Sequence, residues 1–213
     1  MDVKKILGHC DHTLLKQTAT WDDIKQIIDD GIKYQTASVC IPPGYVRQAA
    51  EYAQGRVKVC TVIGFPNGYS TTGSKVYEAK EACDNGASEI DMVINIGFVK
   101  AGRYDEVYEE IKLIAEAVHS KGAILKVIIE TCDLTEDEKI RLCRIVSDAK
   151  ADFIKTSTGF GSAGAKVEDI VLMKNNVDPE VRIKAAGGIR TEEAAKEMIA
   201  NGADRIGASR LGN

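Results

Sequence analysis

Three lysines and one aspartate stand where apolar strands are expected, and these four side chains have the most chemistry to offer. Lys155 lies in Asp152-Phe153-Ile154-Lys155-Thr156-Ser157-Thr158-Gly159, Lys126 in Leu125-Lys126-Val127-Ile128-Ile129, Lys184 in Arg182-Ile183-Lys184-Ala185-Ala186-Gly187-Gly188, and Asp91 in Ile90-Asp91-Met92-Val93-Ile94. A lysine amine attacks a carbonyl only when neutral, and with an ordinary pKa of about 10.4 roughly one molecule in a few thousand is neutral at pH 7. Burial together with neighbouring cations is the arrangement that supplies the ~4 kcal/mol needed to remove the proton. Lys126 and Lys184 sit at equal sequence distance on either side of Lys155 and are expected to flank it in this way.

Side chains alternate across a strand, so Lys155 shares a face with Phe153, Asp91 with Val93, Lys126 with Ile128, and Lys184 with Ala186. The opposite faces are apolar and suited to packing under helices. The competing reading is structural: the lysines snorkel outward, or pair with Asp91, Asp152 or Glu130 in an ion network. Three lysines and an aspartate near the ends of successive strands favour function, because barrel enzymes place catalytic groups there.

The elements that must position these groups alternate along the chain. Helical stripes recur at Ile24, Ile27, Ile28 and Ile32, at Val46, Ala49, Ala50 and Ala53, from Tyr104 to Val118, and at Ala194, Ala195, Met198 and Ile199. Thr135 and Glu138 form a capping-box pattern, while Gly31, Gly55, Gly86, Gly122 and Gly202 mark expected helix ends. Strands are expected at 10–14, 36–41, 57–65, 89–95, 124–130, 152–157, 182–186 and 205–208. Asn85-Gly86-Ala87 and Asn201-Gly202-Ala203 repeat one helix-to-strand connection. The expected fold is a single (β/α)8 barrel over residues 1–213, α/β in class, with a short N-terminal extension and a truncated C-terminal helix.

Glycine-rich turns follow these strands: Thr158-Gly159-Phe160-Gly161, Gly187-Gly188-Ile189-Arg190 and Gly207-Ala208-Ser209-Arg210. Bare amides at such turns bind phosphate, and barrels often hold one at the loops after strands seven and eight. The plainer reading is that the glycines only make tight turns.

With 28 basic and 32 acidic residues, the net charge of −4 gives no footprint for nucleic acid or an anionic membrane, although a small anionic ligand stays compatible with local lysines. Six scattered cysteines suggest reduced thiols. Neither a signal peptide nor a run long enough to span a membrane is visible, so a cytoplasmic location is expected.

At Lys155-Thr156-Ser157-Thr158-Gly159-Phe160 the chain resembles deoxyribose-phosphate aldolases. The likeness extends through Asp11-His12-Thr13-Leu14-Leu15, Glu89 to Asn95, Leu125 to Thr131, and Ile183 to Arg190, and so covers essentially the whole chain. The resemblance implies a class I aldolase that reversibly cleaves 2-deoxy-D-ribose 5-phosphate to D-glyceraldehyde 3-phosphate and acetaldehyde. It implies no metal and no organic cofactor. Lys155 would be the Schiff-base lysine, Asp91 and Lys184 the proton donor and acceptor, and Lys126, Thr158, Asp11 and Cys40 supporting residues. Phosphate would meet Gly159, Gly187, Gly188, Ile189, Arg190, Gly207 and Ser209. Some members carry a lysine where this chain has Phe160 and a second serine where it has Arg210, so Arg190 or Arg210 is expected to supply the missing charge. A homodimer is an expectation from the same likeness.

Three other functions compete. Gly159-Phe160-Gly161-Ser162-Ala163-Gly164 fits a dinucleotide fingerprint, but Lys155 interrupts its strand and no acidic residue ends the next one. A silent sugar-phosphate-binding barrel would need no nucleophile. A zinc-dependent aldolase would need a ligand cluster that His9, His12 and His119 do not form, the first two being expected to support the first strand. Cys40 reads by default as a buried strand cysteine.

Overall fold

Eight short segments, most of them rich in apolar residues, pair in chain order into a closed parallel barrel in the computed structural model, which describes residues 3–209. The strands are β1 (Cys10–Thr13), β2 (Ser38–Ile41), β3 (Val59–Ile63), β4 (Glu89–Val93), β5 (Ile124–Ile128), β6 (Phe153–Lys155), β7 (Arg182–Ala186) and β8 (Arg205–Ala208). Every expected strand is present; the first six are trimmed at one or both ends where turns take over, and β7 and β8 keep their expected bounds. The helices are α1 (Val3–Leu7), α2 (Trp21–Tyr34), α3 (Val46–Ala53), α4 (Thr72–Asp84), α5 (Ile96–Lys100), α6 (Tyr104–His119), α7 (Glu136–Asp148), α8 (Val167–Asn176) and α9 (Glu192–Ala200). Short 3-10 turns cover Pro43–Tyr45 and Thr131–Asp133. The expected truncated C-terminal helix, and Arg210, lie outside the described residues.

Local chemistry sets the helix starts. Thr135 and Glu138 close a capping box at α7: the Glu138 carboxylate accepts the Thr135 N–H at 2.7 Å and the Thr135 hydroxyl accepts the Glu138 N–H at 3.3 Å. Thr20 and Asp23 do the same for α2. Gly31 departs from expectation. It lies inside α2, which ends at Tyr34, and Gln35 takes the left-handed cap with φ 55°. Gly31 is instead the point where α2 meets the sheet, since a Cβ there would fall 2.6 Å from Val39 Cγ1.

Alternation in the strands separates two kinds of interior. Ile90, Met92, Leu125, Val127, Ile154, Ile183, Ala185 and Ile206 face the helices in the main apolar core, and burial of each large aliphatic contributes about 1.5–3 kcal/mol. Inside the barrel only a small apolar group, Cys40, Cys60 and Val62, gathers apart from that core. The other inward positions mix the charged groups Asp11, Glu89, Asp91, Lys126, Lys155 and Lys184 with the apolar side chains of Val93, Ile128, Phe153 and Ala186.

Gly31→Ala tests the α2 packing. Helix propensity alone favours alanine by about 1 kcal/mol, whereas overpacking against Val39 costs about 1–3 kcal/mol. Urea unfolding is expected to show net destabilisation, and a more stable variant would contradict the close approach.

Candidate active site

The parallel ladder brings the sequence's four candidate groups together. Asp91 is the register partner of Lys126, and Lys155 that of Lys184. Asp91 Oδ1 accepts from Lys126 Nζ at 2.8 Å, while Asp91 Oδ2 accepts from both Lys155 Nζ and Lys184 Nζ at 2.7 Å. Lys155 is 3% exposed, and Asp91, Lys126 and Lys184 are wholly buried.

Beneath this set, toward the amino ends of the strands, lies a second. Asp11 accepts from Lys184 at 2.5 Å, from the Ser38 hydroxyl at 2.7 Å, and from Arg205. Glu89 approaches Lys126 at 2.7 Å and Arg205 at 2.9 Å. Asp11, expected as a supporting residue, lies in this second set in contact with Lys184. Glu89 and Arg205 are additions, and the same alternation points to them: Glu89 stands two positions before Asp91, Arg205 two before Gly207.

Electrostatics fixes most protonation states. Burial pushes the Asp91 carboxyl up, but the ammonium groups of Lys126, Lys155 and Lys184 outweigh it and hold the group well below its ordinary value of 3.8. Asp11 is lowered in the same manner by Lys184, Lys126 and Arg205 against its own burial. Burial lowers Lys126 and Lys184, yet the surrounding carboxylates win and raise both above 10.5. The cations expected beside Lys155 lie on neighbouring strands, and Asp91 stands among all three amines. Of the other partners considered for these lysines, Asp152 instead accepts from the Leu125 N–H at 2.8 Å and lies 2.8 Å from His119, and Glu130 binds Thr158.

Lys155 opens into a cavity of about 280 Å³ at the carboxyl ends of the strands. Thr158, Gly159, Gly187, Gly188, Ile189, Arg190, Gly207 and Ser209 all line it, so the expected phosphate residues share one space with Lys155. Thr13, at the end of β1, and Leu14, Leu15 and Lys16, from the loop after it, close the cavity on one side. Lys16 is a rim cation that no local pattern announced. Among the described residues, no protein acceptor appears for the N–H groups of Gly159, Gly188 and Ile189. Gly187 and Gly188 take φ of 85° and 77°, the left-handed region that favours glycine. Phe160, half exposed, stands edge-on to Phe65 with ring centroids 5.3 Å apart.

Cys40 is buried beside Cys60 rather than lining the cavity. A hydrogen bond from the Cys60 thiol lowers the Cys40 pKa, whereas burial drives that of Cys60 well up. Two interior groups, Cys40 with Cys60 and Asp91, and Asp11 with Cys60 and Glu89, have donor atoms within 4.8 Å of one another. Their carboxylates already face ammonium and guanidinium groups, a poor environment for a further cation. His9 Nδ1 lies 2.9 Å from Asp204 O and His12 Nε2 lies 3.8 Å from Asp30, both outside the barrel interior. The glycine fingerprint at 159–164 does not open a helix, since α8 begins only at Val167.

Fold and site together define a (β/α)8 barrel with a cavity lysine backed by a buried carboxylate. The chain belongs to the DeoC/LacD family of aldolases, whose family model matches residues 6–212. Two proteins named deoxyribose-phosphate aldolase share much of its sequence. That of Streptococcus pyogenes serotype M28 is 57% identical over 211 residues, covering 99% of this chain and 94% of that protein. That of Clostridioides difficile is 54% identical over 209 residues, covering 98% and 94%. The deoxyribose phosphate aldolase of Aeropyrum pernix, described as a unique tetramer, superposes with a TM-score of 0.91 at 30% identity, covering 97% of this chain and 87% of that one.

The pKa directions fix a stability profile. Asp11 and Asp91, depressed in the folded state, contribute above their unfolded value of 3.8 and lose that contribution as pH falls below it. Lys126 and Lys184, raised, contribute below 10.5 and lose it only as pH climbs through their folded values. Urea midpoints are therefore expected to fall steadily from about pH 4 to about pH 2. A flat acid limb would contradict the ion pairing.

Proposed function

We propose that this protein is a class I aldolase that reversibly cleaves 2-deoxy-D-ribose 5-phosphate to D-glyceraldehyde 3-phosphate and acetaldehyde through a Schiff base on Lys155. The observation that carries this reading is Lys155 itself: a strand amine at the floor of a glycine-lined cavity, 2.7 Å from a buried carboxylate that also holds Lys184. The names borne by relatives over half identical in sequence support the same substrate.

Lys155 Nζ, once deprotonated, adds to the C1 aldehyde of the open-chain sugar, and loss of water from the carbinolamine gives an iminium. A base removes the C3 hydroxyl proton, and the C2–C3 bond breaks with its electron pair moving into the iminium to leave an enamine. D-glyceraldehyde 3-phosphate departs, C2 takes a proton, and water hydrolyses the new iminium to acetaldehyde and free Lys155. Asp91, held ionised, is the acceptor of the relay and Lys184, held protonated, its donor, with an ordered water reaching substrate atoms. Their contact at 2.7 Å is the path between them. Lys126 keeps Asp91 charged and oriented. The iminium is the electron sink, so the chemistry calls for neither metal nor organic cofactor.

The unpartnered amides of Gly159, Gly188 and Ile189, with the Ser209 hydroxyl and the rim cations Arg190 and Lys16, are assigned to the phosphate. In this reading a single barrel domain spanning residues 1–213 acts in the cytoplasm on small phosphorylated sugars and aldehydes, with no nucleic-acid or membrane partner. Among the described residues, no helix is long and apolar enough to cross a membrane.

Borohydride reduction in the presence of acetaldehyde is expected to leave a two-carbon adduct on the Lys155 peptide, detected by mass spectrometry. Lys155→Ala should abolish the adduct, and Lys184→Leu and Asp91→Asn should each slow cleavage by about 100-fold or more. An adduct elsewhere, or cleavage surviving Lys155→Ala, would reject the mechanism.

A further inference from the structure

Glu130 combines three features that the aldolase mechanism leaves unused. Its backbone is left-handed, with φ 54° and ψ 70°, a conformation disfavoured for a residue with a side chain. Its side chain is 3% exposed. Among the described residues, no basic side chain forms an ion pair with its carboxylate.

The pairing of β5 with β6 shows how Glu130 is aimed. Ile129 N donates to Lys155 O at 3.0 Å, and a regular parallel ladder would send the Thr131 N–H to Ser157 O. Thr131 N instead donates to Thr156 O at 2.9 Å, so the ladder slips by one residue at Glu130. Such slips re-aim a side chain beside active sites. Here the carboxylate is delivered to the turn that follows Lys155. Both Glu130 oxygens lie within reach of the Thr158 N–H, at 3.3 and 3.4 Å, and Oε2 accepts the Thr158 hydroxyl at 2.5 Å. The Thr158 hydroxyl oxygen in turn accepts the Phe160 N–H at 3.0 Å, closing the turn over Gly159. The next glycine permits this seating, because a Cβ at Gly161 would fall 3.1 Å from Glu130 Cδ.

We infer that Glu130 is a positioning residue that holds the Thr158–Phe160 turn so that the Gly159 amide faces the phosphate end of the cavity, a role that rests on the aldolase reading. The bonds to the Thr158 amide and hydroxyl tie the Glu130 carboxyl to the turn. Strain at this one residue is thereby offset by a fixed loop. The role concerns the phosphate arm of the substrate and not the chemistry at Lys155.

The test compares kcat/KM for cleavage of 2-deoxyribose 5-phosphate with that for unphosphorylated 2-deoxyribose in the wild type and in Glu130→Gln. The amide keeps the size of the carboxylate but presents an N–H pair or a weaker acceptor to Thr158. The phosphorylated-to-unphosphorylated ratio is expected to fall at least tenfold, mainly through KM, while the borohydride-trapped adduct on Lys155 still forms. A fall of less than tenfold, including an equal loss on both substrates as a purely structural role would give, overturns the inference. Should Glu130→Gln fail to fold, Thr158→Val is judged by the same ratio, since it removes the hydroxyl that Glu130 holds. Wild-type protein that forms no adduct with acetaldehyde would sink the aldolase reading instead, so the two failures are distinguishable.

Discussion

One buried carboxylate organises the interior of this barrel. Asp91 accepts from Lys126 through one oxygen and from Lys155 and Lys184 through the other, and each pair is 2.7–2.8 Å apart. Burying ions costs several kcal/mol apiece, and the cost is offset only when geometry and further hydrogen bonds are good. The barrel meets that condition by stacking Asp11 and Glu89 beneath Asp91, where they complete the surroundings of Lys126, Lys184 and Arg205. Four cations then face three carboxylates. The surplus charge lies at the cavity end, where Lys155 holds a single carboxylate oxygen that it shares with Lys184.

Fold and chemistry divide the work cleanly. The groups proposed to move electrons and protons sit on β4, β6 and β7, whose neighbours fix them on both sides and whose outer faces are packed under helices. The groups proposed to hold phosphate sit on the loops after β6, β7 and β8, where glycines leave amides uncovered. A loop can be retuned without disturbing the strand beneath it, and both Phe160 and the rim cation Lys16 sit on such loops. Glu130 is the link between the two levels, because it leaves β5 by a slip in the ladder and grips the loop of β6.

Much of this was legible in the sequence, for a physical reason. A barrel strand must be apolar outside, so a lysine or aspartate within an apolar run is placed inside by alternation alone, and Lys126, Lys155, Lys184 and Asp91 follow that logic. Glu89 and Arg205 obey it too, yet a charged residue at the first position of a strand reads equally as facing solvent. Gly31 shows the opposite error: glycine ends many helices, but here it serves close packing against Val39, a tertiary contact with no local trace. Glu130 was readable as a strand residue and a partner for lysine. Its left-handed turn, and with it the choice of Thr158, depends on how β5 and β6 meet.

The most direct test of the central claim is a double-mutant cycle on Asp91 and Lys155, read as unfolding free energy in urea at neutral pH. Asp91→Asn strands three buried lysines and is expected to cost about 3–5 kcal/mol. Adding Lys155→Met, which removes the surplus cation, should return at least about 1 kcal/mol of that loss. If the two effects instead sum to within about 0.5 kcal/mol, the residues are energetically independent, and the account of Asp91 as the anion that organises the site is wrong.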